Sequence, residues 1–298
     1  MHRVSSHLGP VLLLTIVFLF SPGVSSAQES EDDSVHWAYS SFLGTGWYEL
    51  DENREVYVLR VPIRWYYRDS YIDDSGQGQL GIEFHFPLTF GLHRLEQLDD
   101  FVDLENIGTV SFNPGIEIEY PVSDRWLLRA YAHAGWGKEA DSSDSAWIYD
   151  GGVKSRYSFQ ERKLEWAIVN ELFFAGYNAK KSGKDGLTGI MAGLDFSYPL
   201  PSNSGSKSPL KINWDINYRW YENNPSFPRF LNNDASGQLE NIPVTLEDEW
   251  QIGVAIAKQN GPFKIWFMNF QHVGLVYRFN TDGSFQAITF NFRSPFTR

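Results

Sequence analysis

The chain has 298 residues, 42% of them hydrophobic and 16% aromatic, with 11 Trp, 22 Phe and no cysteine. Its formal net charge of −12 opposes polyanions, which excludes nucleic acid as a partner. The lack of cysteine excludes disulfides as the source of stability, and the length suffices for one large domain.

At the N-terminus, Arg3 precedes an unbroken apolar run at 11–20 (VLLLTIVFLF), then Ser21-Pro22-Gly23 and the small residues Ser25-Ser26-Ala27. This is the layout of a secretory signal peptide over 1–27, cleaved after Ala27. The run is too short for a membrane-anchored helix, which needs ~20 apolar residues, and no cysteine follows it for lipoprotein processing. Residues 28–34 (QESEDDS) read as a short acidic periplasmic linker, with no passenger ahead of a domain at 35–298.

From there the hydropathy has a period of two. Residues 80–88 set Ile82, Phe84 and Phe86 against Glu83 and His85. Residues 110–120 set Val110, Phe112, Ile116, Ile118 and Tyr120 against Ser111, Asn113, Glu117 and Glu119. Residues 210–221 set Ile212, Trp214, Ile216, Tyr218 and Trp220 against Lys211, Asn213, Asp215, Asn217 and Arg219. Side chains alternate across a strand, so each segment has one apolar and one charged face. Strands are expected at 35–48, 54–67, 78–88, 109–120, 125–137, 147–159, 162–176, 187–198, 210–221, 243–257, 263–279 and 284–293.

A soluble sandwich also alternates, but with strands of ~5–6 residues. The segments here approach the ~10 residues that cross a bilayer at a tilt. Trp126 and Trp136 share a face; at ~3.3 Å per residue and ~40° tilt they stand about 25 Å apart in height, as the two aromatic girdles of a membrane barrel do. The fold class is therefore all-β: a closed antiparallel transmembrane β-barrel of about 12 strands. Trp126, Trp136, Trp214 and Trp220 are expected to face lipid. The connections at 121–124, 160–161 and 258–262 are short and fall on the periplasmic side. Those at 89–108 and 222–242 are long and fall outside. A two-residue turn at Gln160-Glu161 would pair positions summing to 321, setting Arg156 opposite Glu165.

The last segment, residues 283–292 (GSFQAITFNF), combines a glycine with alternating apolar residues ending in aromatics. It resembles the C-terminal strand signal of bacterial outer-membrane proteins, which implies that the barrel-assembly machinery reads Gly283, Phe290 and Phe292, or Phe296 as the last aromatic. With the strand pattern, the whole domain resembles the solitary autotransporter-like β-barrel family. The resemblance implies a porin-like protein in the outer membrane of a Gram-negative bacterium, embedded in outer-membrane lipid.

Alternation assigns the lumen to Arg60, Arg64, Glu83, His85, Glu117, Glu119, Arg129, His133, Lys154, Arg156, Glu165, Glu171, Asp195, Asp215, Arg219, Glu249 and Arg278. Both charges are present, so the expected role is structural or passive for a small solute, with ion pairs filling most of the lumen. The alternative is an outer-membrane phospholipase or protease. Against it, no His-x-Ser-Asn-Gly motif occurs, His85, His133 and His272 have no serine two residues on, and His93, Asp99 and Asp100 share one loop. No enzyme activity is expected, and no cofactor. Glu83 and His85 share a face, but no third ligand is placed by sequence, so no metal is assigned. Loop 89–108 carries Leu95, Leu98, Phe101 and Val102 at helical spacing and is expected to form a short amphipathic helix. Loops 89–108 and 222–242 offer a surface to an extracellular partner.

Overall fold

The computed structural model describes residues 37–50, 54–92, 107–139, 145–180, 183–201, 209–227, 230–232, 239–241, 244–259, 261–265 and 268–292. The signal peptide and linker of 1–34, the Leu95, Leu98, Phe101 and Val102 of the expected helix, His93, Asp99 and Asp100, and Phe296 lie outside them.

Twelve strands close on themselves. They are β1 (Thr45–Leu50), β2 (Arg54–Arg68), β3 (Gly81–Leu92), β4 (Ile107–Phe112 with Gly115–Ser123), β5 (Trp126–Glu139) and β6 (Ser145–Glu161). Then follow β7 (Leu164–Ala179), β8 (Gly183–Pro199), β9 (Leu210–Tyr221), β10 (Asp248–Lys258), β11 (His272–Phe279) and β12 (Phe285–Asn291). Each is antiparallel to the next, and β12 pairs back on β1 from Thr45↔Phe290 to Leu50↔Phe285. Closure leaves no unpaired edge among these strands, the condition for spanning hydrocarbon with β structure. β4 is broken at Asn113-Pro114, where proline cannot donate to the ladder. Both of its parts pair with β3 and β5.

The outer face carries exposed aliphatic and aromatic side chains together. Ile168, Leu172, Ile190, Ile252, Val254, Ile256 and Leu275 are exposed there. Trp136, Trp147, Trp214, Trp220 and Trp65 are exposed as well. Trp126 shares the outer face with Trp136, half-buried, its Nε1 donating to Ser155 Oγ at 2.9 Å. An exposed apolar surface of this extent is rare on monomeric soluble proteins.

Several sequence expectations change: the third strand runs on to Leu92 and the fourth starts at Ile107, shortening the connection expected at 89–108, and the strand expected from 243 starts at Asp248. Of the strand expected at 35–48, residues 37–44 are not strand: Trp37–Ser40 form a helical turn, α1, and β1 begins only at Thr45. The interior explains this. Barrel diameter grows with strand number, and about eight strands make a lumen that side chains alone fill. Twelve make a wider one, and the N-terminal segment occupies part of the remainder.

The expected strand at 263–279 begins instead at His272, because β10 ends its ladder with β11 at Ala257↔His272. Phe263–Ile265 then pair with Met268–Phe270, making a small hairpin of their own. Finally, the β6–β7 turn is Arg162-Lys163, with Arg162 at φ 55° and Leu164 opposite Glu161. Paired positions therefore sum to 325, and Arg156 faces Val169. The even shift keeps every side chain on its expected face. It also sets Phe159 against Trp166, stacked at 4.1 Å and 12°, a cross-strand aromatic pair that favours this register.

In the β2–β3 connection Asp73 closes a small hairpin. Its Oδ1 accepts from the Ser75 hydroxyl and the Ser75 and Gln77 amides, and its Oδ2 from the Gln79 side chain. These bonds, the Ser75 hydroxyl's first, hold its carboxyl down at about 2. The stabilisation is present above the ordinary aspartate range and is lost as pH falls through about 2. Carboxyl NMR titration should find that midpoint; one near ~3.9 would mean that Asp73 does not close the turn.

In brominated lipid, Trp136, Trp147, Trp214 and Trp220 should lose fluorescence. Each single Trp→Phe change should remove part of the quenched signal. Quenching by aqueous iodide with none by brominated lipid would invert the faces.

Candidate functional site in the barrel lumen

Residues paired across a ladder share a face, and the register carries all the sequence-assigned lumen positions to the inside. One row runs Glu119, Arg129, Lys154, Glu171, Met191, Arg219, Glu249 across seven strands. Opposite charges meet along it: Arg129 Nε lies 2.6 Å from Glu119, Lys154 3.9 Å from Glu171 and Arg219 3.1 Å from Glu249.

The first focus is Glu249, whose side chain is 1% exposed. Its Oε1 accepts from Arg278 Nε at 2.7 Å and Arg219 at 3.1 Å; its Oε2 accepts from Arg278 at 2.7 Å, Tyr221 at 3.1 Å and Tyr39 at 2.9 Å. Tyr39 belongs to α1, so this hub ties the plug to the wall. The plug's backbone, which has no strand to pair with, finds partners among the same side chains. Arg60 donates to the carbonyls of Ser41 (2.8 Å) and Leu43 (3.0 Å), and Arg278 to that of Phe42 (3.3 Å). The Tyr48 hydroxyl both receives from Gly44 N–H and donates to its carbonyl. Buried backbone groups must be paired, and arginines near a helix C-terminus suit that end. Trp37, Tyr39, Phe173, Tyr221, Leu187 and Phe285 form the surrounding core. Trp37 fits because Gly137 has no side chain: a Cβ there would lie 2.3 Å from the indole.

The second focus lies across β3 to β6. His85, Gly115, His133 and Asp150 stand in one row. His85 Nδ1 is 3.0 Å from His133 Nε2, and His133 Nδ1 is 2.7 Å from Asp150 Oδ2. Asn113 donates to Asp150 Oδ1 at 2.5 Å. Gly115 allows the two imidazoles to meet over it; its missing Cβ would lie 2.0 Å from His133 Cδ2. On the other side of His85 are Glu83 and Glu117, paired directly across the ladder. Arg64 is 3.6 Å from Glu83, and Arg129 is 3.8 Å from Glu117.

A third group joins Asp215 to Asn217 (2.8 Å) and Gln251 (3.0 Å), with Asp195 directly opposite Asp215 in register. Arg156 reaches Asp195 at 3.6 Å and, in spite of the changed register, Glu165 at 3.5 Å. Asp150, Tyr131, Asn113 and the plug residues Trp37 and Tyr39 were not among the sequence-assigned lumen residues. Asp150 shares the alternation of Lys154 and Arg156 and was legible on that ground; the plug carried no period-two signal. Of the expected assembly residues, Gly283 sits in the β11–β12 turn at φ +81°, and Phe290 is exposed on the outer face with Phe292 stacked beside it.

The fold and lumen together define a closed barrel of the outer-membrane type, with an apolar exterior and a filled interior. No family model matches the chain, and no curated protein does. Among solved structures, the outer membrane transporter YddB from Escherichia coli is similar at 8% identity and TM-score 0.29. The likeness covers 80% of this chain and 36% of that one, so the chain spans about a third of the transporter's length. No functional statement follows from a likeness at that level.

The two ion pairs of interest differ in burial. Glu249→Ala leaves Arg219 and Arg278 buried without their partner and should cost about 3–5 kcal/mol. Glu165, with its side chain 41% exposed, should cost no more than about 1 kcal/mol on truncation to Ala. Urea unfolding in vesicles separates the two; equal losses would refute the hub as the lumen's main anchor.

Proposed function

We propose that the protein is an outer-membrane barrel of a Gram-negative bacterium, of the solitary autotransporter-like kind, with a structural and non-enzymatic role. Its belt would meet outer-membrane lipid, its final strand would be read by the assembly machinery, and its 93–106 and 222–247 connections would be open to an extracellular partner. The apolar exterior and the alternation of β12 support the membrane placement. One observation carries the rest: Tyr39 of the plug is bonded to the buried Glu249, so the segment that fills the lumen is fixed to the wall. A barrel so filled is non-conducting at rest.

A passive pathway is the second reading, favoured by a cavity lined by Tyr66, Arg68, Ser70, Glu83, Glu117 and Glu119 near the β2–β3 connection. The plug lies toward the opposite connections, beside Gly137, Ile148 and Tyr221, and would block that path. Planar-bilayer recording decides. The unaltered protein should give no conductance steps, and Trp37→Ala with Tyr39→Ala should give them while the barrel stays heat-modifiable on gels. Regular steps from the unaltered protein would overturn the closed reading, and lipid or peptide hydrolysis by it would overturn the non-enzymatic one.

A further inference from the structure

The Glu83, His85 and Glu117 side chains offer one ligand atom each, and all three atoms lie within 4.8 Å of one another. Two are carboxylates on neighbouring strands and the third is an imidazole two residues along β3. All three point into the lumen beside the cavity that Glu83 and Glu117 line. We propose that these residues bind a divalent first-row transition ion such as Zn²⁺.

The imidazole network is what turns a cluster into a site. Asp150 accepts from His133 Nδ1, which makes His133 Nε2 a lone pair in the neutral ring. That lone pair accepts a proton held on His85 Nδ1, 3.0 Å away. His85 Nε2 is then a lone pair as well. It is buried, makes no hydrogen bond, and stands 3.4 Å from Glu83 Oε1. A lone pair aimed at carboxylate oxygen is repulsive unless something positive lies between them.

A metal ion resolves this, and the carboxylate–histidine–histidine row supplies the outer support that fixes the tautomer of a metal-bound imidazole. Tetrahedral Zn–N and Zn–O bonds of ~2.0–2.2 Å place ligand atoms about 3.4 Å apart. His85 Nε2 and Glu83 Oε1 already stand 3.4 Å apart, and rotation of the glutamate side chains has to bring in the other ligand oxygen, which lies within 4.8 Å of both. Arg64 and Arg129, ion-paired to Glu83 and Glu117 at 3.6 and 3.8 Å, share those carboxylates and would yield part of them to the ion. Three protein ligands leave a coordination position for water, facing the cavity.

Titration of the chelator-stripped, detergent-folded chain with ZnCl₂, read by calorimetry, tests this. One equivalent should bind. His85→Gln and Glu117→Gln should each weaken binding at least tenfold, and Asp150→Asn, which removes no ligand, about 10–100-fold. His272→Gln, on β11 and bonded to Asn291, should change nothing. Heat-modifiable gel mobility checks that each variant is folded. Should His85→Gln fail to fold, Co²⁺ on the unaltered chain serves: a strong visible spectrum of low coordination is expected. The pale spectrum of the hexaaqua ion would overturn the proposal. So would the absence of stoichiometric Zn²⁺ uptake, or uptake unaffected by losing His85, which would leave the proton or a surface carboxylate as the occupant.

Discussion

Everything inside this barrel is organised by a carboxylate that cannot be left alone. Glu249 is buried on a wall strand, and burying an ion without partners costs several kcal/mol. Two arginines and two tyrosines converge on it. Arg219 and Arg278 bring their own demands. Arg219 lies over the rings of Phe42 and Phe173, and Arg278 over those of Tyr48 and Phe285. Each of those contacts fixes part of the N-terminal segment or the core around it. The charge thus dictates the aromatic packing, and the packing dictates where the plug sits.

The two polar foci divide the lumen between different kinds of chemistry. Around Glu249 both carboxylate oxygens accept hydrogen bonds and the cluster is compact and enclosed, which suits anchoring. Around His85 the geometry leaves a ring nitrogen without a hydrogen bond next to a cavity, which suits a ligand. Gly115 and Gly137 perform matching services on neighbouring strands. One opens space for imidazole against imidazole, the other for an indole against the wall.

The barrel was legible because alternation is a local property. Glu83, Glu117, Arg129 and Arg219 read as inward from their own neighbours alone, whatever strand they pair with. What sequence could not supply was register. The hairpin at Arg162-Lys163 departs from the simplest turn, since a non-glycine residue adopts positive φ there and the Phe159–Trp166 stack compensates. Without register, Glu117 could not be set against Glu83, nor His133 beside His85. The plug escaped for another reason: a four-residue turn of helix has neither a period of two nor a stripe, and nothing in Trp37–Ser40 announces that it lies within the barrel rather than before it.

The tie between Tyr39 and Glu249 spans 210 residues of chain, and that between Tyr39 and Arg278 spans 239. Contacts so distant in sequence form late and slowly. β1 contributes only Thr45–Leu50 to the seam with β12, and it follows the plug directly. The segment is therefore carried into place together with β1 as the first and last strands meet. Enclosure and closure become a single late event, and the shortest strand is the one that completes it.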